Sequence, residues 1–182
     1  MRRFALVAGI VVAVGLGGVS PAVAAAPGVN RFTISESFTD PDFCGTGQAV
    51  DVSILLKVTE FLAPNQPVDY RNVIQGNEVY TNPANGATVL RHVAGPFSAT
   101  VISGDPEGVH TEELTVFGQS QMLRTAHGGV LLQNAGYLVL HQVVNGDEVI
   151  SSEVVVARGP HPNAESGFTL FCDVTTEALG LS

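Results

Sequence analysis

The sequence is poor in aromatic and in basic residues. It contains no tryptophan, and its only tyrosines are Tyr70, Tyr80 and Tyr137, so carbohydrate binding through stacked aromatic rings has little support. Eight Lys and Arg residues stand against 17 Asp and Glu residues, which gives a net charge of −9. An acidic surface repels phosphate backbones and anionic lipid headgroups. We therefore expect neither nucleic acid nor a membrane surface among the partners.

The common catalytic and cofactor signatures are also missing. The sequence has no G-x-S-x-G nucleophile elbow, no H-E-x-x-H zinc motif, no Walker A loop and no EF-hand loop. It also lacks the C-x-x-C pair that is typical of redox and zinc sites. We therefore expect no cofactor, and we favour a function that does not depend on catalysis.

The first residues have the pattern of a secretory signal peptide. Arg2 and Arg3 form a basic start, Phe4–Gly18 is an apolar segment, and small residues follow. The apolar segment is shorter than the roughly 20 residues that a membrane-spanning helix needs. We expect cleavage after Ala24 or Ala26, so that no membrane anchor remains.

With residues 1–26 assigned to the signal peptide, residues 27–182 are predicted to form a single β-rich domain that is secreted into the extracellular space. The only cysteines are Cys44 and Cys172. An even number of cysteines in an exported chain indicates a disulfide. The bridge would close a loop of 172 − 44 = 128 residues. It would hold an early segment beside the last one, as in a sheet that closes on itself.

Strand patterns dominate this domain. Apolar and polar residues alternate along Gln48–Leu62, which is the two-residue period of a half-buried β-strand. Similar segments follow, with a bend or bulge expected at Gly95-Pro96 and a break after Gly118, and the last predicted strand is Phe168–Val174. One helical turn is expected in 175–181. The sequence thus predicts an all-β fold: a single antiparallel β-barrel or β-sandwich of about eight to ten strands, closed by one disulfide.

The segment GDPEGVHTEEL, residues 104–114, combines a turn with ionisable residues. A strand is expected to leave the turn at Val109, which places His110 and Glu112 on one face of it. Such a pair at the mouth of a cavity could bind a metal ion or transfer a proton. A zinc site needs a convergent set of ligands, and no third ligand is evident. We therefore expect an ordinary strand end without a metal, and keep both residues as catalytic candidates.

His141 is the third catalytic candidate, because it lies within the apolar segment YLVLHQVV. Its neighbours depend on the hairpin predicted at Asn145-Gly146. A two-residue turn places His141 opposite Ile150. A three-residue loop with a bulge places His141 opposite Ser151 and brings Glu153 to the same face. The sequence leaves both registers open.

Several short segments resemble those of small secreted actinobacterial proteins of unknown function: FCGTG, YTNPANG, SGDPEGVHT and the late GPHP…FC, together with the Ala-rich leader. This resemblance covers nearly all of the mature chain, and it implies no activity. In architecture the chain is loosely similar to calycin-like and allene-oxide-cyclase-like barrels. That second resemblance implies a fold only, because one fold carries many unrelated functions.

Three functions fit these observations. The first is a secreted, non-catalytic binding protein for a small apolar ligand or for a protein partner, such as one at the cell envelope. The second is an enzyme that uses His110, Glu112 and His141 at a barrel mouth. The third is a structural envelope protein. An apolar cavity would support the first function and convergence of the three side chains the second, whereas a filled interior would leave protein binding or the third.

Overall fold

The computed structural model describes residues 28–62, 70–146 and 148–181. The expected signal peptide, residues 1–26, lies outside the described residues. Most of the described chain forms seven strands: β1 (Gly28–Asp40), β2 (Val50–Leu62), β3 (Tyr70–Thr81), β4 (Thr88–Gly104), β5 (Val109–Thr125), β6 (Val130–Asn145) and β7 (Glu148–Arg158). A 3-10 turn, Phe43–Gly45, follows β1, and two helices follow β7: α1 (Pro162–Glu165) and α2 (Leu170–Leu179). None of the described helices is both long and apolar enough to cross a membrane.

All seven strands belong to one antiparallel sheet, and their order in the sheet is their order in the chain. The prediction of an all-β antiparallel fold with one disulfide is therefore confirmed. The finer expectation of a closed barrel is not met, because β1 and β7 lie at the two edges of the sheet and do not pair with each other. The described sheet also has seven strands rather than about eight to ten.

The strand count is lower than expected because β4 and β5 are long. Each spans 17 residues. The bend or bulge expected at Gly95-Pro96 and the break expected after Gly118 both fall inside these strands, and the pairing shifts register close to both points. A bulge inserts an extra residue that bends a strand without ending it. β4 is therefore irregular near Gly95-Pro96, as expected, whereas Gly118 bends β5 instead of dividing it.

The segment predicted as the last strand, Phe168–Val174, instead leads into helix α2. The buried residues of α2 are Phe171, Thr175 and Leu179, which recur once per turn and so lie along one side of a helix. Gly180 ends the helix in the left-handed conformation, with φ of 67°. A short apolar run does not distinguish a strand from a buried helix, which is why the sequence pattern was ambiguous here.

The hydrophobic core lies on one side of the sheet, which we name the inner face. Alternate residues of β2 from Val50 to Val58 are buried there. Phe43, Tyr80 and Phe171 pack together above them, with ring centroids 5.5 to 6.4 Å apart. A second cluster joins α1 to the same face through Val116, Leu138, Leu140 and Ala164. Both helices thus cover the inner face, and the opposite side is the outer face.

A buried ion pair is part of this core. Nη1 of Arg91 donates hydrogen bonds to both carboxylate oxygens of Glu78, at 2.9 and 3.1 Å. The Tyr80 hydroxyl donates to the same carboxylate, and the Arg91 guanidinium lies 5.7 Å from the centroid of the Phe171 ring. Burial lowers the pKa of Arg91, but the charges and hydrogen bonds of Glu78 and Tyr80 together outweigh this effect, so the net shift is upward. The guanidinium therefore stays charged beneath α2.

A row of glycines marks the closest approach of neighbouring strands. Gly118 of β5 pairs with Gly136 of β6. Gly136 has φ of +120°, and a Cβ atom built on it would lie 2.1 Å from the carbonyl oxygen of Arg158. No side chain fits so close to a backbone oxygen. Glycines next to a bulge also allow a sheet to curl, which helps the inner face to wrap around its core.

We expect Gly136→Ala to lower the free energy of unfolding by at least about 2 kcal/mol, because it combines a left-handed φ with a clash against backbone. The matched control is Gly28→Ala. Its Cβ would meet the Leu62 side chain at an ordinary 3.5 Å, so its effect should stay within about 0.5 kcal/mol. Urea unfolding followed by circular dichroism measures both. Equal stability of the two variants would show that the strands move apart at little cost.

Cys44 and Cys172 form the expected disulfide, with Cα atoms 5.6 Å apart. It does not join two strands. It connects the 3-10 turn after β1 to helix α2, so it fastens the helix to the sheet instead of closing a barrel.

Removal of this bridge should destabilise the fold strongly, because it closes a loop with a sequence separation of 128. The chain-entropy model gives a loss of about 4 to 5 kcal/mol for a loop of this length. The measurement is urea unfolding of the oxidised protein and of the Cys44→Ala/Cys172→Ala variant. A loss under about 1 kcal/mol would mean that α2 stays docked without the bridge and that the unfolded chain gains little freedom.

Candidate functional site

The ionisable candidates lie at one end of the sheet, beside the β4–β5 and β6–β7 turns. The turn before β5 is closed by a hydrogen bond from the Asp105 N–H to the Val109 carbonyl at 3.1 Å, so the expected turn followed by a strand is present. His110 and Glu112 then share a face of β5, because residues two apart in a strand point the same way. Val116 on that side is buried in the core, which identifies the shared face as the inner one.

Glu112 is the centre of a polar group on the inner face. Its cross-strand neighbours are Val101 of β4 and Gln142 of β6. Burial raises the pKa of Glu112, and the nearby His110 opposes that shift. Burial, helped by the charge of Glu112, raises the pKa of Tyr70 to about 12. We name Tyr70, His110, Glu112 and Gln142 the inner polar cluster.

Hydrogen bonds within the chain orient two members of the inner polar cluster. Nδ1 of His110 lies 3.0 Å from the carbonyl oxygen of Gly108, so the ring is held by its own turn. The side-chain amide of Gln142 donates to the Ser152 hydroxyl at 3.3 Å. A carboxyl group with a raised pKa beside an imidazole can donate or accept a proton. The cluster thus has the elements of an acid–base pair, although no third partner completes it among the described residues.

His141 lies on the outer face, so the three catalytic candidates do not converge. It pairs across β5 and β6 with Glu113, and its Nε2 lies 3.3 Å from Oε2 of that residue. Across β6 and β7 it pairs with Glu153. Successive residues of a strand point to opposite faces, so the step from Glu112 to Glu113 crosses the sheet. His141 therefore lies in a row of two carboxylates that is separate from the inner polar cluster.

The β6–β7 hairpin adopts neither of the two registers that the sequence left open. Asn145 pairs with Glu148, so the turn begins one residue later than expected. The register then shifts in β7, where Ile150 is the extra residue of a bulge. This shift places Glu153, instead of either expected residue, opposite His141. The meeting of these two side chains depends on one inserted residue.

An aromatic pair lies on the same face as the row of Glu113, His141 and Glu153. Phe117 pairs with Tyr137 across β5 and β6, and their ring centroids are 4.5 Å apart. Phe117 is 48% exposed. We name these five residues the outer β5–β7 surface. Exposed aromatic rings beside charged side chains are typical of surfaces that bind proteins.

Neither group amounts to a metal centre. In the described part of the chain, no three His, Cys, Asp or Glu residues lie close enough together to hold a metal ion. A separate shallow depression of about 330 Å³ lies over strands β1 to β3. Its lining combines three apolar residues with the hydroxyl groups of Ser37, Thr39, Ser53 and Thr81 and the carboxylate of Asp51. These groups already bond one another, since the Thr39 hydroxyl donates to Asp51 at 2.7 Å.

Sequence reasoning missed five residues of these groups: Tyr70 and Gln142 of the inner polar cluster, and Glu113, Phe117 and Tyr137 of the outer β5–β7 surface. Tyr70 lies at the start of β3 and Glu112 lies in β5, and only β4 separates these two strands in the sheet. The two residues are therefore near each other only in the folded sheet, and no local pattern could indicate Tyr70. The sequence did contain a signal that could have indicated Glu113. Its place one residue after Glu112 in a strand puts it on the other face, which is the face that His141 occupies.

Comparison of the chain with protein-family models, with curated proteins and with solved structures finds no match in any of the three. No residue of this chain therefore takes a role from a relative. The functional argument depends on the inner polar cluster and the outer β5–β7 surface themselves.

We expect Glu112→Gln to raise the melting temperature at pH 7, by about 1 to 3 °C. A raised native pKa means that this carboxyl group favours folding when it is protonated, and that this contribution is lost as the pH rises through the native pKa. The gain should therefore disappear below the ordinary carboxyl value of 4.5. Thermal unfolding of the wild type and the variant, at pH 7 and at a pH below 4.5, checks this.

The control is Glu107→Gln in the exposed β4–β5 turn, which should leave the melting temperature nearly unchanged at both pH values. A gain for Glu112→Gln that is equal at pH 7 and at acid pH would show that burial of its charge is not the cause.

Proposed function

We propose that this chain is an exported, non-catalytic protein that binds a polypeptide partner through the outer β5–β7 surface. The observation that carries this proposal is the pair of the exposed Phe117 and the half-buried Tyr137 beside the row centred on His141, on the face that neither helix covers. Aromatic anchors and charged groups that lose water on contact supply most of the binding energy at protein interfaces.

The packing of the inner face favours a protein partner over a small apolar ligand. The chain's own side chains cover the apolar part of this face: Phe43, Phe171, Leu179 and Leu181 belong to one buried cluster with β2. A lipocalin-like ligand would need that space. The aromatic and charged side chains of the outer β5–β7 surface are instead accessible to a second chain.

The inner polar cluster supports proton transfer as the second candidate function. Glu112 has a raised pKa and His110 is near it, which is a combination found in acid–base catalysis. The separation of His141 from this cluster weakens the candidate, since catalytic groups must meet at one reacting atom.

Export forms part of the same proposal. Disulfides persist in oxidising compartments and are rare in the cytosol, and Cys44 is bridged to Cys172. The leader pattern of residues 1–26 and the resemblance to small secreted actinobacterial proteins support the same location.

The test uses protein recovered from the culture filtrate of a secreting host, with Ala25 or Pro27 expected as its first residue. The recovered protein is immobilised and exposed to solubilised cell-envelope proteins of that host. We expect a partner that binds the wild type and binds the Phe117→Ser/His141→Ala variant at least about tenfold more weakly, a loss of about 1.4 kcal/mol.

The matched control is Leu55→Ser on the outer face of β2, where the native side chain is 53% exposed. It should retain wild-type affinity, because β2 lies far from β5 in the sheet. Equal retention of every captured protein by all three forms would refute the outer β5–β7 surface as the binding site. Absence of the protein from the culture filtrate would refute export.

A further inference from the structure

We propose that β1 pairs with β1 of a second copy of this chain, so that two seven-stranded sheets become one continuous antiparallel sheet. β1 is an edge strand of 13 residues whose neighbour on one side is β2. No strand of the described chain pairs with its other side. The proposed pairing is independent of the proposed function, because β1 lies at the opposite end of the sheet from the outer β5–β7 surface.

β1 lacks the irregular pairing that discourages a further strand at the other edge. Its pairing with β2 runs from Gly28 to Asp40 without a register shift, whereas the pairing of β7 with β6 shifts twice. Neither edge strand contains proline or lysine, and each carries three charged residues, so the two edges differ in the regularity of their pairing. Bulges, prolines and charges are the means by which edge strands avoid new partners. Of the two edges, β1 is therefore the better template for another strand.

Symmetry limits the registers that two copies can use. Two antiparallel strands with the same sequence are related by a two-fold axis perpendicular to the sheet. This axis places the inner face of one copy beside the inner face of the other. It also pairs odd-numbered residues with odd-numbered ones and even-numbered residues with even-numbered ones. The backbone amide groups that point outward from one β1 therefore meet those of the other. Each allowed register therefore has one residue on the axis.

The register with Ser35 on the axis is the most favourable. It places Phe32 opposite Phe38 of the other copy, twice, on the inner face, where Phe38 pairs with the buried Val52 and is 50% exposed. Cross-strand aromatic pairs stabilise antiparallel sheets. An axis at Glu36 would set two carboxylates opposite each other, and an axis at Ile34 would set Phe32 opposite a carboxylate.

The size of the contact predicts a weak dimer. In this register about 11 residues of each β1 pair, over a length of about 36 Å. With a sheet thickness of about 10 Å, the two copies bury roughly 700 Å² in total, which is below the range of stable interfaces. The dimer should therefore have a dissociation constant in the micromolar to millimolar range.

Sedimentation velocity over a wide concentration range tests the dimer. The wild type should change from monomer towards dimer as its concentration rises, and Phe38→Lys should stay monomeric at every concentration. The matched control is Val155→Lys on β7, where the native side chain is 47% exposed. It adds the same charge at the other edge and should dimerise like the wild type. Loss of dimer in Val155→Lys alone would place the contact at β7, and a wild type that stays monomeric throughout would overturn the proposal.

Oxidative cross-linking tests the register without a charge in the interface. Ser35→Cys should form a covalent dimer, because the two axis residues lie within disulfide distance. Thr33→Cys alone should not cross-link, since Thr33 faces Ser37 of the other copy, but a mixture of Thr33→Cys and Ser37→Cys should. Equal cross-linking by Ser35→Cys and Thr33→Cys, each alone, would show random collision and contradict the paired register.

Discussion

The packing of α2 against the inner face is the contact on which the rest of the structure depends. An open sheet with one apolar face must bury that face against another element. Phe171 fills this role between Phe43 and Tyr80, and it also covers the charged Arg91. The far end of the helix is fixed by side-chain amides, since Asn82 and Asn85 both donate to the carbonyl oxygen of Leu179, at 2.9 and 3.0 Å. These bonds satisfy a helix terminus that would otherwise lack partners.

The disulfide and the buried ion pair are both linked to this contact between α2 and the inner face. Cys172 lies in α2 next to Phe171, so its bond to Cys44 holds the ring in place. The ion pair between Glu78 and Arg91 lies below that ring and is shielded by it. A buried pair is costly when one partner is removed, because the other is left as an uncompensated charge. Undocking of α2 would admit water to this pair, so the helix and the charged core are expected to unfold together.

The fold class and the disulfide could be predicted from the sequence because both follow from local or countable features. The alternation along β2 and the single pair of cysteines are of this kind. Barrel closure could not be predicted, since it depends on whether β1 and β7 meet. Helix α2 could not be predicted either, because the apolar residues around Phe171 fit a strand equally well until the inner face is seen to need a cover.

The placement of His141 shows the same limit at the site. Its strand could be predicted, but its neighbours depend on the bulge at Ile150. Because the side-chain period of a strand is two, a shift by one residue changes the face of everything that follows. No rule of composition fixes such an insertion. The sequence alone therefore could not predict which face of the sheet carries Glu153.

That bulge has two consequences that bear on how the sheet meets other molecules. It aligns Glu153 with His141 and so completes the charged row of the outer β5–β7 surface. It also interrupts the regular pairing of β7, which makes that edge a poor template for a further strand. β1 has no such interruption. Contact at the β7 end of the sheet must therefore depend on side chains of the outer face, whereas contact at the β1 end can use the backbone itself.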